Sequence, residues 1–386
     1  MFYYRFRSSS ELSIKELMYN EIYFASTSEC NDPFDGKTFL IFEADKGKWK
    51  RLFEFAWRNY EYPNKEIWGE LLSEHIVRKG ELTYDAALKL DYAQILKEIN
   101  FSPNPLIADV LGQSILNTLN TYKPKDTYFA SFARKNDDLL MWSHYASMHK
   151  GYCLIFKAID NKLYQSPERK KSSITRSTHN GKNNVSYSIS DGFEFRDVVY
   201  DLNTTFNNAF YYFPEHISGE NFDEKKLESI RNWKEQQYLI KHDCWSYENE
   251  SRLTVSTNSG WLLGGHVEYS PYERLFHYHP NQLVGIILGA RMEDKEKLRI
   301  REIIKEHINH ISNILYDNFP VFDFVLCQAT LPDNQRKVII KEEEIFTLTR
   351  TISRTDDDFE EYLTRWKEGE AIVYRKNNSG AYRKKF

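Results

Sequence analysis

Two glutamates one residue apart, Glu248 and Glu250, stand in the run Trp245-Ser246-Tyr247-Glu248-Asn249-Glu250-Ser251-Arg252-Leu253. Read as a strand over 247–255, the run puts Glu248, Glu250, Arg252 and Thr254 on one face. Trp245, Tyr247, Ser251 and Leu253 then fall on the other. Neighbouring carboxylates raise one another's pKa unless a cation neutralises one of them, and Arg252 is the cation at hand. The face is therefore either a working carboxylate pair or a Glu–Arg ladder in solvent.

Three further clusters carry residue types that can do chemistry. Tyr3-Tyr4-Arg5-Phe6-Arg7 alternates aromatics and arginines at the start of the chain. Tyr23-Phe24-Ala25-Ser26 runs through Thr27 and Ser28 to Asn31-Asp32-Pro33-Phe34-Asp35, which is either an Asx-turn or a set of metal ligands. In Met141-Trp142-Ser143-His144-Tyr145-Ala146, His144 is either a base or ribose ligand, or a structural hydrogen-bonder. Trp142 and Tyr145 lie three apart and can share a helix face, for a core or for a stacked ring. The spacings His277-x-His279 and His307-x-x-His310 lack a framework of cysteines or carboxylates, so no metal site is expected. No dinucleotide loop, P-loop or Gly-x-Ser-x-Gly elbow is present.

These residues need elements to hold them. Alternation predicts a first strand at residues 2–7, with Phe2, Tyr4 and Phe6 on one face and Tyr3, Arg5 and Arg7 on the other. Ser8 to Ser10 precede a short helix from Glu11, and a second strand follows at 22–25. Helical spacing then governs about 44–122, which reads as a helical insertion. A strand is expected at 127–132, a helix opened by Asp137 and Asp138, and a strand at 152–156. The polar, basic stretch 170–184 reads as a mobile loop and 222–239 as a helix. Strands at 283–288, 321–326 and 337–340 flank a helix over 293–310. Thr355 is placed to cap a last helix carrying Phe359, Tyr362, Leu363 and Trp366, ahead of a basic tail at 374–386. The expected fold is α+β, a mixed or antiparallel sheet with a helical insertion. It forms one domain over 1–340, followed by a C-terminal helix and tail over 341–386.

Composition narrows the function classes. The chain has 386 residues, 41% hydrophobic and 28% charged, which is globular, and aromatics reach 15%. A net charge of −4 supplies no basic field for duplex nucleic acid. Four scattered cysteines without a CxxC pair suit a reducing compartment. No apolar run follows Met1 and none is long enough to span a bilayer, so a cytoplasmic protein without a membrane is expected.

Together, in this order, the four clusters resemble the family known as domain of unknown function 2971. That family shows an aromatic-x-Tyr/Phe-Arg start, a Phe-Ser…Asn-Asp-Pro-Phe segment, a Met-Trp-x-x-Tyr-Ala…Gly segment and a Trp-x-Tyr-Glu-x-Glu-x-Arg segment. The late Glu-x-Glu, with Arg5 on a first strand and Ser26-Thr27-Ser28 after Phe24, also resembles the ADP-ribosyltransferases. That resemblance implies an ADP-ribosyltransferase-like fold and NAD as substrate, with no metal. Glu250 would stabilise the cationic ribose as the nicotinamide bond breaks, Glu248 would position the acceptor, and Arg5 would hold the pyrophosphate or a ribose hydroxyl. Tyr4, Ser26, Trp142, His144, Tyr145 and Arg252 would line the NAD site. It further implies a toxin or antiphage effector with a protein or nucleic-acid acceptor and an antitoxin or defence-system partner. Two other readings stay open: a non-catalytic nucleotide-sensing module and a metal-dependent nuclease. A transferase needs Arg5, Glu250 and an aromatic in one cleft. A sensor would hold Glu248 and Glu250 in ion pairs. A nuclease would cluster carboxylates from two strands without the arginine.

Overall fold

A computed structural model of the protein describes residues 1–37, 39–99, 105–177, 181, 184–201, 206–219, 223–257, 267–315, 321–368 and 372–373. The basic tail expected at 374–386 lies outside these residues. The chain is a mixed α+β protein built on a sheet that, among the described residues, has ten strands.

In chain order the main strands are β1 (Phe2–Arg7), β2 (Thr127–Ala133), β3 (Tyr152–Lys157), β4 (Arg196–Asp197), β5 (Glu250–Ser256), β6 (Leu283–Leu288), β7 (Val321–Thr330), β8 (Ile339–Thr347) and β9 (Thr351–Ser353). In space they run β4-β5-β2-β1-β3-β6-β7-β8-β9, with Ile372–Val373 added beside β7. The register pairs between these strands are antiparallel except β6–β7, which is parallel and bridged by the helix Asp294–Leu315. That helix buries Ile300, Ile304, Ile308 and Ile311, a stripe at helical spacing. The boundary drawn near residue 340 falls inside β8, which is hydrogen-bonded along β7.

The sheet is divided. β2 pairs with β5 over seven residues and β1 with β3 over six, but β1 and β2 are joined at the single register pair Tyr4↔Ala133. Past that pair the two strands diverge. The far end is closed by Ala25, which exchanges hydrogen bonds with Phe129 at 2.8 and 2.9 Å. Ala25 follows the short strand Glu21–Tyr23 and the first helix, α1 (Glu11–Met18), whose N-cap Ser10 accepts from the Ser13 N–H as expected from sequence.

A second hydrophobic cluster is separate from the sheet's. It is built by the helices α2 (Lys46–Ala56), α3 (Lys65–Val77), α4 (Tyr84–Leu88), α5 (Tyr92–Glu98) and α6 (Pro105–Thr121) around Trp49, Leu52, Phe53, Trp57 and Leu111. The helical reading of this stretch needs one correction, the two-residue strand Leu82–Thr83, which pairs with Leu40–Phe42. The chain also returns to this lobe later, burying Phe210, Phe213 and Ile217 in it.

Two other expectations are corrected. The stretch 170–184 is not simply a loop, because Ser173–Ser177 and Asn184–Ser188 pair as an antiparallel hairpin. The last helix, Phe359–Lys367, begins after Asp358 rather than at Thr355, and Phe359, Leu363 and Trp366 are its buried face.

Candidate functional site

Where β1 and β2 part, they leave a cavity of about 520 Å³. One wall is β1, contributing Tyr4, Arg5, Phe6 and Arg7. β2 lines it with residues 129–133, and α7 (Leu139–His144) with Tyr145 just beyond it and the segment that carries Glu248 and Glu250 complete the lining. The helix α7 starts where sequence placed it. The Asp138 carboxylate accepts from the Leu140 and Met141 N–H groups at 2.8 and 2.9 Å.

The glutamates are positioned differently from the sequence reading. Residues Asp243–Glu248 form a 3-10 helix, Asn249 takes the left-handed conformation at φ 46°, and β5 starts only at Glu250. The strand expected over 247–255 therefore loses its first three residues. The turn at Asn249 still brings both carboxylates to the same place. Neither faces solvent, since Glu248 and Glu250 are each 4% exposed and Arg252 is fully buried, so a solvent-facing ladder is ruled out.

Five buried charged groups meet here: Asp35, Glu248, Glu250, Lys241 and Arg252. Arg252 forks onto Asp35 at 2.6 and 2.8 Å and onto Glu250 through Nε at 2.7 Å and Nη2 at 3.0 Å. Its remaining Nη1 donates to the Tyr238 carbonyl at 2.8 Å. The Lys241 ammonium reaches Glu248 at 2.5 Å, Glu250 at 3.2 Å and Asp35 at 3.4 Å. The Tyr145 hydroxyl donates to Glu248 at 2.5 Å and accepts from Asn31 at 3.2 Å.

The two glutamates stand apart electrostatically. Burial alone would raise Glu250, but Arg252 and Lys241 outweigh it and hold its carboxyl at about 2. For Glu248 burial wins over Lys241 and Tyr145, and its carboxyl sits above the usual range. Burial and Glu248 together push the Tyr145 phenol up.

Acceptor capacity differs in the same sense. A carboxylate offers about four lone-pair directions. Glu250 spends them on Arg252 twice, Lys241 and the Ser131 side chain. Glu248 spends one on Tyr145 and one on Lys241, which leaves its other directions for the cavity it lines.

On β1 Arg5 is a half-buried cation that, among the described residues, has no acid paired with it. Its Nη1 has no hydrogen-bond partner, its guanidinium lies 5.4 Å from the Phe132 ring centre, and burial together with Arg7 lowers it to about 9. Arg7 is paired with Glu16 of α1.

Of the residues singled out from sequence, Tyr4, Arg5, His144, Tyr145, Glu248 and Glu250 line this cavity. Three do not. Trp142 is fully buried, packs edge-on against Phe6 and donates its indole N–H to the Asn136 carbonyl at 2.7 Å. Ser26 closes the turn Thr27–Glu29 through Glu29 and borders a neighbouring cavity. Arg252 lies behind the glutamates. The loop from Asn31 to Asp35 is an anchor, with an Asx-turn at Asp32 and the fork from Arg252 onto Asp35. Between the carboxylates the cationic place is taken by Lys241, and among the described residues no group of three His, Cys, Asp or Glu is arranged to hold a metal. Lys241 itself is what sequence reasoning missed. It sits on the three-residue strand Ile240–His242, directly after a helical stretch, with no pattern around it.

Residues 141–253 match the model of a family described as protein of unknown function, DUF2971. The matched stretch holds Tyr145, Lys241, Glu248, Glu250 and Arg252. Arg5 and Asp35, which complete the cavity and the charge cluster, lie outside it. No curated protein and no solved structure matches the chain. Among the described residues no helix is long and apolar enough to cross a membrane.

Proposed function

We propose that the protein is an NAD-consuming, ADP-ribosyltransferase-like enzyme and that the divided sheet is its NAD site. One observation carries the reading: a single cavity is lined both by a guanidinium that, among the described residues, has no acid partner and by ionisable carboxylates. NAD has a matching polarity, an anionic pyrophosphate at one end of its reactive half and a cationic nicotinamide riboside at the other.

Arg5 takes a pyrophosphate oxygen, which gives a counter-charge to a guanidinium that has none among the described residues. Tyr4, His144 and Tyr145 offer ring faces to the nicotinamide. As the nicotinamide–ribose bond breaks, its electron pair leaves with neutral nicotinamide and positive charge develops on the ribose. A fixed carboxylate that accepts the ribose hydroxyl stabilises that state. On acceptor capacity this role falls to Glu248, and Glu250 becomes the ionised anchor that orders Arg252 and Lys241 behind it. An acceptor group, or water, then takes the ADP-ribosyl carbon and gives up a proton.

A second reading is favoured by one specific observation. Glu248 and Glu250 are both in ion pairs, as a non-catalytic nucleotide-sensing module would hold them. One experiment separates the two: purified protein is incubated with NAD while binding is followed by calorimetry and nicotinamide by chromatography. Release of nicotinamide that is lost in Glu248→Gln supports the enzyme. Binding without release makes the protein a sensor, and the absence of both binding and release removes the NAD assignment.

A further inference from the structure

We propose that Lys241 is a positioning residue, whose ammonium keeps Glu248 ionised and oriented toward the cleft beside Tyr145. Its bearing on catalysis rests on the role given to Glu248 above; the charge state it sets does not.

The argument starts from a count of charge. Asp35, Glu248 and Glu250 are three buried carboxylates, and Arg252 and Lys241 are the two cations among them. Arg252 commits its N–H groups to Asp35, Glu250 and the Tyr238 carbonyl. Lys241 is therefore the cation that contacts Glu248, at 2.5 Å. Tyr145 beyond α7 donates to Glu248, Tyr247 adjoins it in the 3-10 turn, and Tyr200 on the strand Val199–Asp201 accepts the neighbouring Glu250 N–H at 2.8 Å. Arg5, Arg7 and His144 line the same cavity but make no salt bridge to Glu248, and the Cys30 thiol there is held neutral by burial.

The ammonium is itself fixed from below. It lies 5.1 Å from the Trp245 ring centre and reaches all three carboxylates. A point charge with three rotatable donors suits such a radial arrangement. Without it, three carboxylates would face one arginine. Two ionised carboxylates in one desolvated place drive a proton onto the less compensated of them, and that is Glu248.

The test is Lys241→Met, read by infrared spectroscopy at neutral pH. A protonated-carboxyl band should appear in Lys241→Met, vanish in Lys241→Met/Glu248→Gln, and be missing from Lys241→Arg, which keeps the charge. In nicotinamide release the acidic limb of the pH profile should move up by about one unit or more in Lys241→Met. If Lys241→Met does not fold, Lys241→Gln removes the same charge while keeping hydrogen-bonding capacity, and is read in the same way. A band that never appears, or that survives Glu248→Gln, overturns the proposal. A band that behaves as stated in a protein that releases no nicotinamide leaves Lys241 in its role and removes the enzymatic reading alone.

Discussion

Replacing each glutamate of the cleft by glutamine should separate stability from activity, in opposite order for the two sites. Arg252 and Lys241 hold the Glu250 carboxyl well below its ordinary range, so its charge stabilises the fold at neutral pH. Removing one partner of a buried ion pair typically costs roughly 3–5 kcal/mol. Glutamine also turns an N–H₂ group toward Arg252 or Lys241, which are themselves donors. Glu250→Gln should therefore lower stability in urea titration by roughly 3–5 kcal/mol. Glu248 is the reverse case. Burial already raises its carboxyl, so its charge opposes folding, and Glu248→Gln should stay within about 1 kcal/mol of the parent. Its loss should appear in turnover instead, with nicotinamide release down on the order of a hundredfold and NAD affinity changed far less. If Glu248→Gln proves the more destabilising of the two, or retains full turnover, the division of roles drawn from acceptor capacity is refuted.

Arg5→Met removes a half-buried cation that has no acid partner among the described residues, so thermal stability should hold or rise, while NAD binding by calorimetry weakens roughly ten- to hundredfold, the worth of one charged hydrogen bond. An unchanged affinity would move the anion elsewhere. A methyl group at Gly151 would stand 2.1 Å from the Arg7 carbonyl oxygen, a backbone atom, so Gly151→Ala should lose more than about 2 kcal/mol in urea titration; tolerance of alanine would contradict the close approach of β1 and β3. Burial lowers His279 and His307 to about 4, so the unfolded chain binds their protons first. Stability should then fall as pH drops from 6.5 through 4, and fall again from 4.5 toward 2 as Glu250 is protonated. A urea midpoint that stays flat between pH 6.5 and 4 would refute the first part.

Local signals in the sequence carried much of the framework. The alternation of aromatics and arginines gave β1 its limits, and Ser10 and Asp138 marked helix starts that their side-chain hydrogen bonds bear out. Arg5 and Glu250 were legible as partners in one cavity because each sat in a run of chemical residues. What failed was the conformation between such runs. Asn249 turns left-handed inside a stretch whose alternation suits a strand, so Glu248 belongs to a helical turn and Glu250 to the sheet. Trp142 and Tyr145, three apart on one helix, have different fates: Trp142 is buried against Phe6, while Tyr145, the helix C-cap, lines the cavity and donates to Glu248. Lys241 left no trace, since one lysine on a three-residue strand has no period, and only tertiary structure sets it among three acids.

The single register pair between β1 and β2 has a mechanical consequence. It makes the sheet two leaves on a common hinge, one of β4, β5 and β2, the other of β1, β3 and the strands beyond. The first leaf carries Glu250 and Arg252, and through them the anchor at Asp35; the second carries Arg5. Between its one register pair and the Ala25–Phe129 bridge, the gap lacks the ladder that joins the strands within each leaf. A ligand that grips Arg5 at one end and Glu248 at the other would act as a cross-brace. Amide hydrogens along 129–132 should then exchange more slowly in the loaded protein, even where no ligand atom touches them.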